Sequence, residues 1–163
     1  MNPAVLLALL LSFASDLFAQ DPGMEAIGSM SVQLIFATDG DPKIAGKLAK
    51  EMAVTDLKKL QEIKEIKFEH YRILGVDKPV ILKGYESWAT PLRPSKKILV
   101  SFQPIKRSGD ERIQMVLEYW QSKRKVFSTN PELKKGKTLY LLGPEWRKGR
   151  MILAVKIEEL KKL

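Results

Sequence analysis

The sequence predicts an α+β domain: an antiparallel β-sandwich or meander with one long helix, or two shorter ones, packed on it near the amino end. Three observations predict it. Apolar residues recur at helical spacing from Ile44 to Ile63. From Phe68 onward the apolar period shortens to two and stays there. Turn formers then cut that second region into short segments.

The elements follow in order. Residues 20–29 read as a short polar lead-in containing Asp21-Pro22-Gly23. Residues 31–37 (Ser31-Val32-Gln33-Leu34-Ile35-Phe36-Ala37) form a mostly apolar run, expected to be a strand central in its sheet. Asp41 is a good N-cap and Pro42 suits the first helical position. The helix is expected over 42–64, with Ile44, Leu48 and Met52 continued by Leu57, Leu60 and Ile63. Val54-Thr55-Asp56 breaks the phase, and Thr55 could cap a second helix there. Strands are expected at 68–74, 79–83, 86–90, 97–105, 112–120, 125–129, 138–142 and 151–157. In the fifth of these, Ile113, Met115, Leu117 and Tyr119 alternate with Arg112, Gln114, Glu118 and Trp120. Successive short strands of this kind suggest a meander, sandwich or partly closed barrel. Residues 30–163 read as one domain, with no internal repeat or linker.

The amino terminus reads as a signal peptide over residues 1–19. An apolar core from Ala4 to Ala14 is followed by the more polar Ser15-Asp16. Asp16 stops the run short of the roughly 18 apolar residues that a membrane-spanning helix needs. Ala19 ends the segment with a small residue, so cleavage is expected before Gln20. The leader carries no Lys or Arg, which departs from the usual pattern. The protein is expected to be exported, periplasmic or extracellular, and without a transmembrane segment after cleavage. The chain has no cysteine. That excludes disulfides, thiolate metal sites and a lipid-modified cysteine.

The net charge is +9, from 28 Lys and Arg against 19 Asp and Glu. A field of that sign favours anionic partners, although Lys-rich surfaces also serve solubility alone.

Tyr71-Arg72-Ile73-Leu74 after the helix, and Gly143-Pro144 followed by Gly149-Arg150-Met151-Ile152-Leu153-Ala154, form a pattern of their own. It resembles a group of small exported bacterial proteins with no assigned activity. Those share a Tyr-x-x-Leu strand and a Gly-Pro … Gly-x-Leu-Ile-Leu-Ala pair. The resemblance spans residues 30–157. It implies a bacterial envelope setting and carries over no catalytic residue.

No grouping of residues announces catalysis. His70 is the one histidine, with no nucleophile or carboxylate at a telling spacing. Asp39-Gly40-Asp41 lacks the later ligands of a calcium loop and reads as a turn and cap. The Gly143–Gly149 stretch lacks the Gly-Lys-Ser/Thr ending of a phosphate loop. No cofactor is expected.

The basic turns are more informative. In a meander, alternate turns fall at the same end. Three would gather there: Arg93, Lys96 and Lys97 in the first; Lys123, Arg124 and Lys125 in the second; Arg147, Lys148 and Arg150 in the third. Trp120 and Trp146 lie beside them in sequence. Cations next to aromatics suit phosphate, sulfate or acidic-sugar surfaces. One missed or extra strand would send a turn to the far end.

The expected function is an exported, non-enzymatic binding or assembly module of the bacterial cell envelope. Its expected partner is an anionic lipid, an acidic glycan or an envelope protein rather than nucleic acid. The alternative is a small hydrolase or lyase acting on an anionic polymer, with Glu69, Glu86 and Glu118 brought together by folding. A buried carboxylate pair would favour the enzyme; carboxylates scattered over the surface would favour the binder.

Overall fold

A computed structural model describes residues 21–162. The expected signal peptide, residues 1–19, lies outside the described residues. Of the described residues 56% are strand and 13% helical. The α+β expectation is therefore corrected: the protein is built of antiparallel sheets with one short helix.

Strand β1 (Ala26–Thr38) is the centre of the first sheet. On one side it pairs with β11 (Gly149–Leu160), which in turn pairs with β10 (Thr138–Trp146). On its other side lie β3 (His70–Asp77) and β4 (Val80–Leu82), end to end along the same edge. The two-residue β2 (Lys50–Glu51) extends β3. The second sheet runs β5 (Ser87–Ala89), β6 (Ile98–Ser108), β7 (Arg112–Gln121), β8 (Arg124–Thr129). A further strand, β9 (Glu132–Lys134), pairs with the start of β7.

The sheets face each other across a single apolar layer. Met30, Val32 and Leu34 of β1 and Leu153 and Val155 of β11 meet Val100, Phe102, Met115 and Leu117 of the second sheet. Strand alternation explains this directly, since every second side chain points the same way. The apolar run at the end of β1 has a further cause. Ile35 and Ala37 point to the outer face, where they pack with Tyr71, Ile152 and Ala154 under Leu60 and Ile66. Both faces of β1 are covered there, so its sequence is apolar without alternation.

The cover on that outer face is the helix α1 (Val54–Glu62) and the 3₁₀ turn Lys64–Ile66 that follows. This is where the long-helix expectation fails. Asp41 does cap a helical turn, its carboxylate accepting from the Lys43 amide at 2.9 Å. That turn is only the 3₁₀ segment Pro42–Ala45. Gly46 ends it at φ 100° and ψ 165°, a conformation that residues with a Cβ avoid. The chain then runs extended through β2. Leu48, whose spacing puts it on the apolar stripe, is 92% exposed. The N-cap of α1 is Ala53, not Thr55. What holds α1 is Leu60, fully buried on the sheet. Burial of a leucine contributes roughly 1.5–3 kcal/mol. Among the described residues no helix is long and apolar enough to cross a membrane.

Candidate functional site

Three connections meet at one end of the sandwich. The first is the loop from Thr90 to Lys97 that joins β5 to β6. Asp77 at the end of β3 anchors it, accepting from the Thr90 amide at 2.7 Å and from the Arg93 guanidinium at 3.1 Å. Gly75 on β3 lets the loop come close. A Cβ there would fall on the Pro91 carbonyl oxygen and 2.9 Å from its carbonyl carbon.

The second connection is the turn Ser122–Lys123 between β7 and β8. The Ser122 amide donates to the Lys97 carbonyl at 2.7 Å, tying this turn to the first loop. The third is the turn Arg147–Lys148 between β10 and β11. Its Lys148 carbonyl accepts from the Thr38 hydroxyl at 3.0 Å. Both two-residue turns have two central residues at positive φ: 50° and 66° in the second connection, 46° and 61° in the third. That geometry matches the twist of a hairpin and favours Asn or Gly. Here it is occupied by Ser, Lys, Arg and Lys. A residue with a Cβ in this region costs roughly 1–2 kcal/mol.

The added strand β9 does not upset this gathering. It continues β8 along the same edge of β7, joined through Asn130-Pro131, with the Met115 amide bonded to the Pro131 carbonyl at 3.2 Å. A strand that continues its predecessor adds no reversal.

Between the three connections lies a cleft of about 480 Å³. Its floor is apolar, made by Leu74, Leu92, Ile98 and Met151. Its rim carries Lys97 and Arg147 from the basic turns, and Ser95 and Ser122 beside them. The fourth wall is the segment 45–49, with Lys47 and Leu48. Among the described residues no carboxylate lines it. Arg147 is held in place: its guanidinium donates to the Ile44 carbonyl at 3.2 Å and lies 4.3 Å from the centroid of the Trp146 ring. The segment 45–49 and the floor carried no signal at the level of turns. Gly46, inside a supposed helix, was the one clue to the wall.

The nine basic residues of the three turns divide by what they touch. Lys97 and Arg147 line the cleft. Arg147, Lys148 and Arg150 line a shallower depression next to it, together with Asp39 and Glu145. Arg93 is paired with Asp77, Lys125 with Glu118 at 2.9 Å, and Arg150 with Glu145 at 3.8 Å. Among the described residues Lys47, Lys96, Lys97, Lys123, Arg124, Arg147 and Lys148 form no ion pair. Trp146 reaches the cleft, whereas Trp120 does not. It sits on the outer face of the second sheet, 6.1 Å from Trp88, with its indole N–H donating to Glu118 at 2.9 Å. The opposite end of the sandwich has a smaller basic cleft of about 360 Å³. There Glu25 joins the lining and takes up Lys83 at 3.7 Å, and Arg107 pairs with Asp110 at 3.9 Å.

The carboxylates do not assemble. Glu69 and Glu86 are exposed, in different sheets' approaches. Both oxygens of Glu118 are engaged, by Lys125 and by Trp120. The hydrogen bond from Lys125 is the main cause that holds the Glu118 carboxyl below its ordinary pKa, the opposite of what a general acid needs. His70 is exposed at the start of β3. Among the described residues no group of three His, Asp or Glu side chains is placed to hold a metal ion.

The residues of the bacterial resemblance have structural work. The Tyr71 hydroxyl donates to the Ile66 carbonyl at 2.9 Å and accepts from the Phe68 amide at 2.7 Å, closing the turn after α1. Gly143-Pro144 lies where the register of β10 against β11 shifts. Compared with known proteins, the chain matches no family model, no curated protein and no solved structure.

Proposed function

We propose that this protein is an exported, non-enzymatic binding module of the bacterial cell envelope that engages an anionic surface through the basic end of its sandwich. The observation that carries the reading is the convergence of three basic connections on a cleft whose lining, among the described residues, has cations and no carboxylate. Like charges gathered without acids destabilise the fold through mutual repulsion, and a bound anion offsets that cost. Strain adds support. Lys123, Arg147 and Lys148 occupy backbone positions where glycine is easier, so charge is placed at the turn tips at some expense in stability. The hydrolase or lyase reading has no comparable support, because Glu69, Glu86 and Glu118 form no buried pair.

The test is co-sedimentation of the purified protein with phosphatidylglycerol vesicles and with phosphatidylcholine vesicles, at low and high salt. Binding to the anionic vesicles alone, lost as salt rises, is expected. A basic residue at an anionic bilayer contributes about 1 kcal/mol. Reversal of Lys123, Arg124, Arg147 and Lys148 to Glu is therefore expected to weaken binding by roughly a thousandfold or more. Equal binding of the reversed variant, or of neutral vesicles, removes the basic end from the explanation.

A further inference from the structure

A site that met only a charged surface would need a cationic rim and nothing more. This cleft also has an apolar floor. Leu74, Leu92 and Trp146 are partly buried side chains packed on the edge of the main core, and the cleft brings that edge to solvent. A concave site with an apolar floor and a few polar groups is the usual form of a small-ligand site, in a range of about 300–1,000 Å³ that includes this one.

We propose that the cleft takes one anionic amphiphile, a hydrocarbon chain ending in a phosphate or carboxylate. The chain lies on Leu74, Leu92 and Met151, and the head group meets Lys47, Lys97 and Arg147. This rests on the reading of the basic end as an anion-binding surface, and deepens it by naming what enters.

Three features place the two halves of such a ligand. The cations stand on the rim and the apolar side chains below them, so charge and chain separate along the depth of the cleft. Arg147 is oriented in advance by the Ile44 carbonyl and the Trp146 ring. A guanidinium fixed in this way presents its remaining N–H groups as a fork suited to two oxygens of one anion. Leu48, on the wall next to Lys47, is 92% exposed. A lone exposed leucine needs no explanation. One continuous with the apolar lining of a cleft enlarges the surface a hydrocarbon chain can cover.

The probe is dodecyl phosphate below its micelle-forming concentration, titrated into the full chain by calorimetry and by tryptophan fluorescence. Inorganic phosphate supplies the head without the chain, and dodecyl maltoside supplies the chain without the charge. Dodecyl phosphate is expected to bind one to one, at least tenfold tighter than either control. Leu92→Glu, which sets a carboxylate on the floor, and the pair Lys97→Glu with Arg147→Glu are each expected to weaken it at least tenfold. The pair changes exposed side chains only, so it stands if Leu92→Glu fails to fold. Equal binding of inorganic phosphate removes the chain from the site, and equal binding of dodecyl maltoside removes the charge. Either result overturns the proposal, as does no binding at all. If anionic vesicles still bind in those cases, the basic-end reading survives and only the amphiphile is lost. If vesicles also fail to bind, both are wrong.

Discussion

Trp146 stands edge-on to Phe36, with ring centroids 5.5 Å apart and planes at 85°. Phe36 is fully buried in β1, so this contact fixes the end of β10 to the centre of the first sheet. The same Trp146 ring also supports Arg147. One indole therefore links core and cation. Trp146→Ala is expected to cost about 2–3 kcal/mol, below the full range for a buried tryptophan because the ring is only partly covered. Trp146→Phe is expected to lose less than half of that. Urea denaturation measures both. Anionic-vesicle binding should fall more in the Ala variant, whose Arg147 has no ring beneath it.

The strained turns predict an exchange of stability for binding. Lys123→Gly and Lys148→Gly relieve a side chain held at φ 66° and 61°. Each is expected to raise stability by about 1 kcal/mol, the strain released less the entropy that glycine loses. Each also removes a cation that has no acidic partner. Urea midpoints should rise while affinity for phosphatidylglycerol vesicles falls, the usual direction of such a trade-off. If the glycine variants are more stable and bind unchanged, those two cations belong to solubility.

Much of the sheet was legible because alternation has a direct physical meaning. Ile113, Met115, Leu117 and Tyr119 are all buried on one face of β7, as their spacing requires. The helix was misread because a stripe at helical spacing is necessary but not sufficient. Gly46 sits inside it at φ 100°, which ends the helical turn at Ala45 and leaves Leu48 beyond it, exposed. The three basic turns could be placed from strand parity. The cleft floor could not. Leu74, Leu92 and Met151 come from β3, a loop and β11, and only closure of the two sheets brings them together. Alternation sends Trp120 to the face opposite Tyr119, away from the core, whereas Trp146 falls in the Gly143–Gly149 turn region, where alternation assigns no face.

Gly75 predicts that the basic loop can be displaced without touching a charge. Its missing Cβ is what lets the Pro91 carbonyl lie against β3. Gly75→Ala forces two backbones apart and is expected to cost about 2–3 kcal/mol by overpacking. The loop from Thr90 to Lys97 should move away from the Asp77 anchor. Affinity for anionic vesicles should then fall at constant net charge. A variant that folds with unchanged stability would mean that the loop approaches less closely than the geometry requires.

Tyr119 predicts a stability profile at high pH. Its side chain is 1% exposed between the two sheets, stacked on Phe127 at 5.4 Å, and its hydroxyl has no hydrogen-bond partner among the described residues. Burial pushes the phenol up to about 12 from its ordinary value of 10. The sign follows from which state ionises first. Below about pH 10 the phenol is neutral in both states and the folded form has its full stability. As pH rises from about 10 through about 12, the unfolded chain loses its proton and the folded chain keeps it, so stability falls. Two pH units correspond to about 3 kcal/mol. Tyr119→Phe removes this loss and also the buried, unpartnered hydroxyl, which is expected to add about 1–3 kcal/mol at neutral pH. Burial also raises Tyr71 and Tyr140, so a smaller alkaline loss should remain in the variant. Urea midpoints of the two proteins at pH 7 and at about pH 11.5 read both effects. An alkaline loss of equal size in both would mean that the Tyr119 hydroxyl reaches solvent in the folded state.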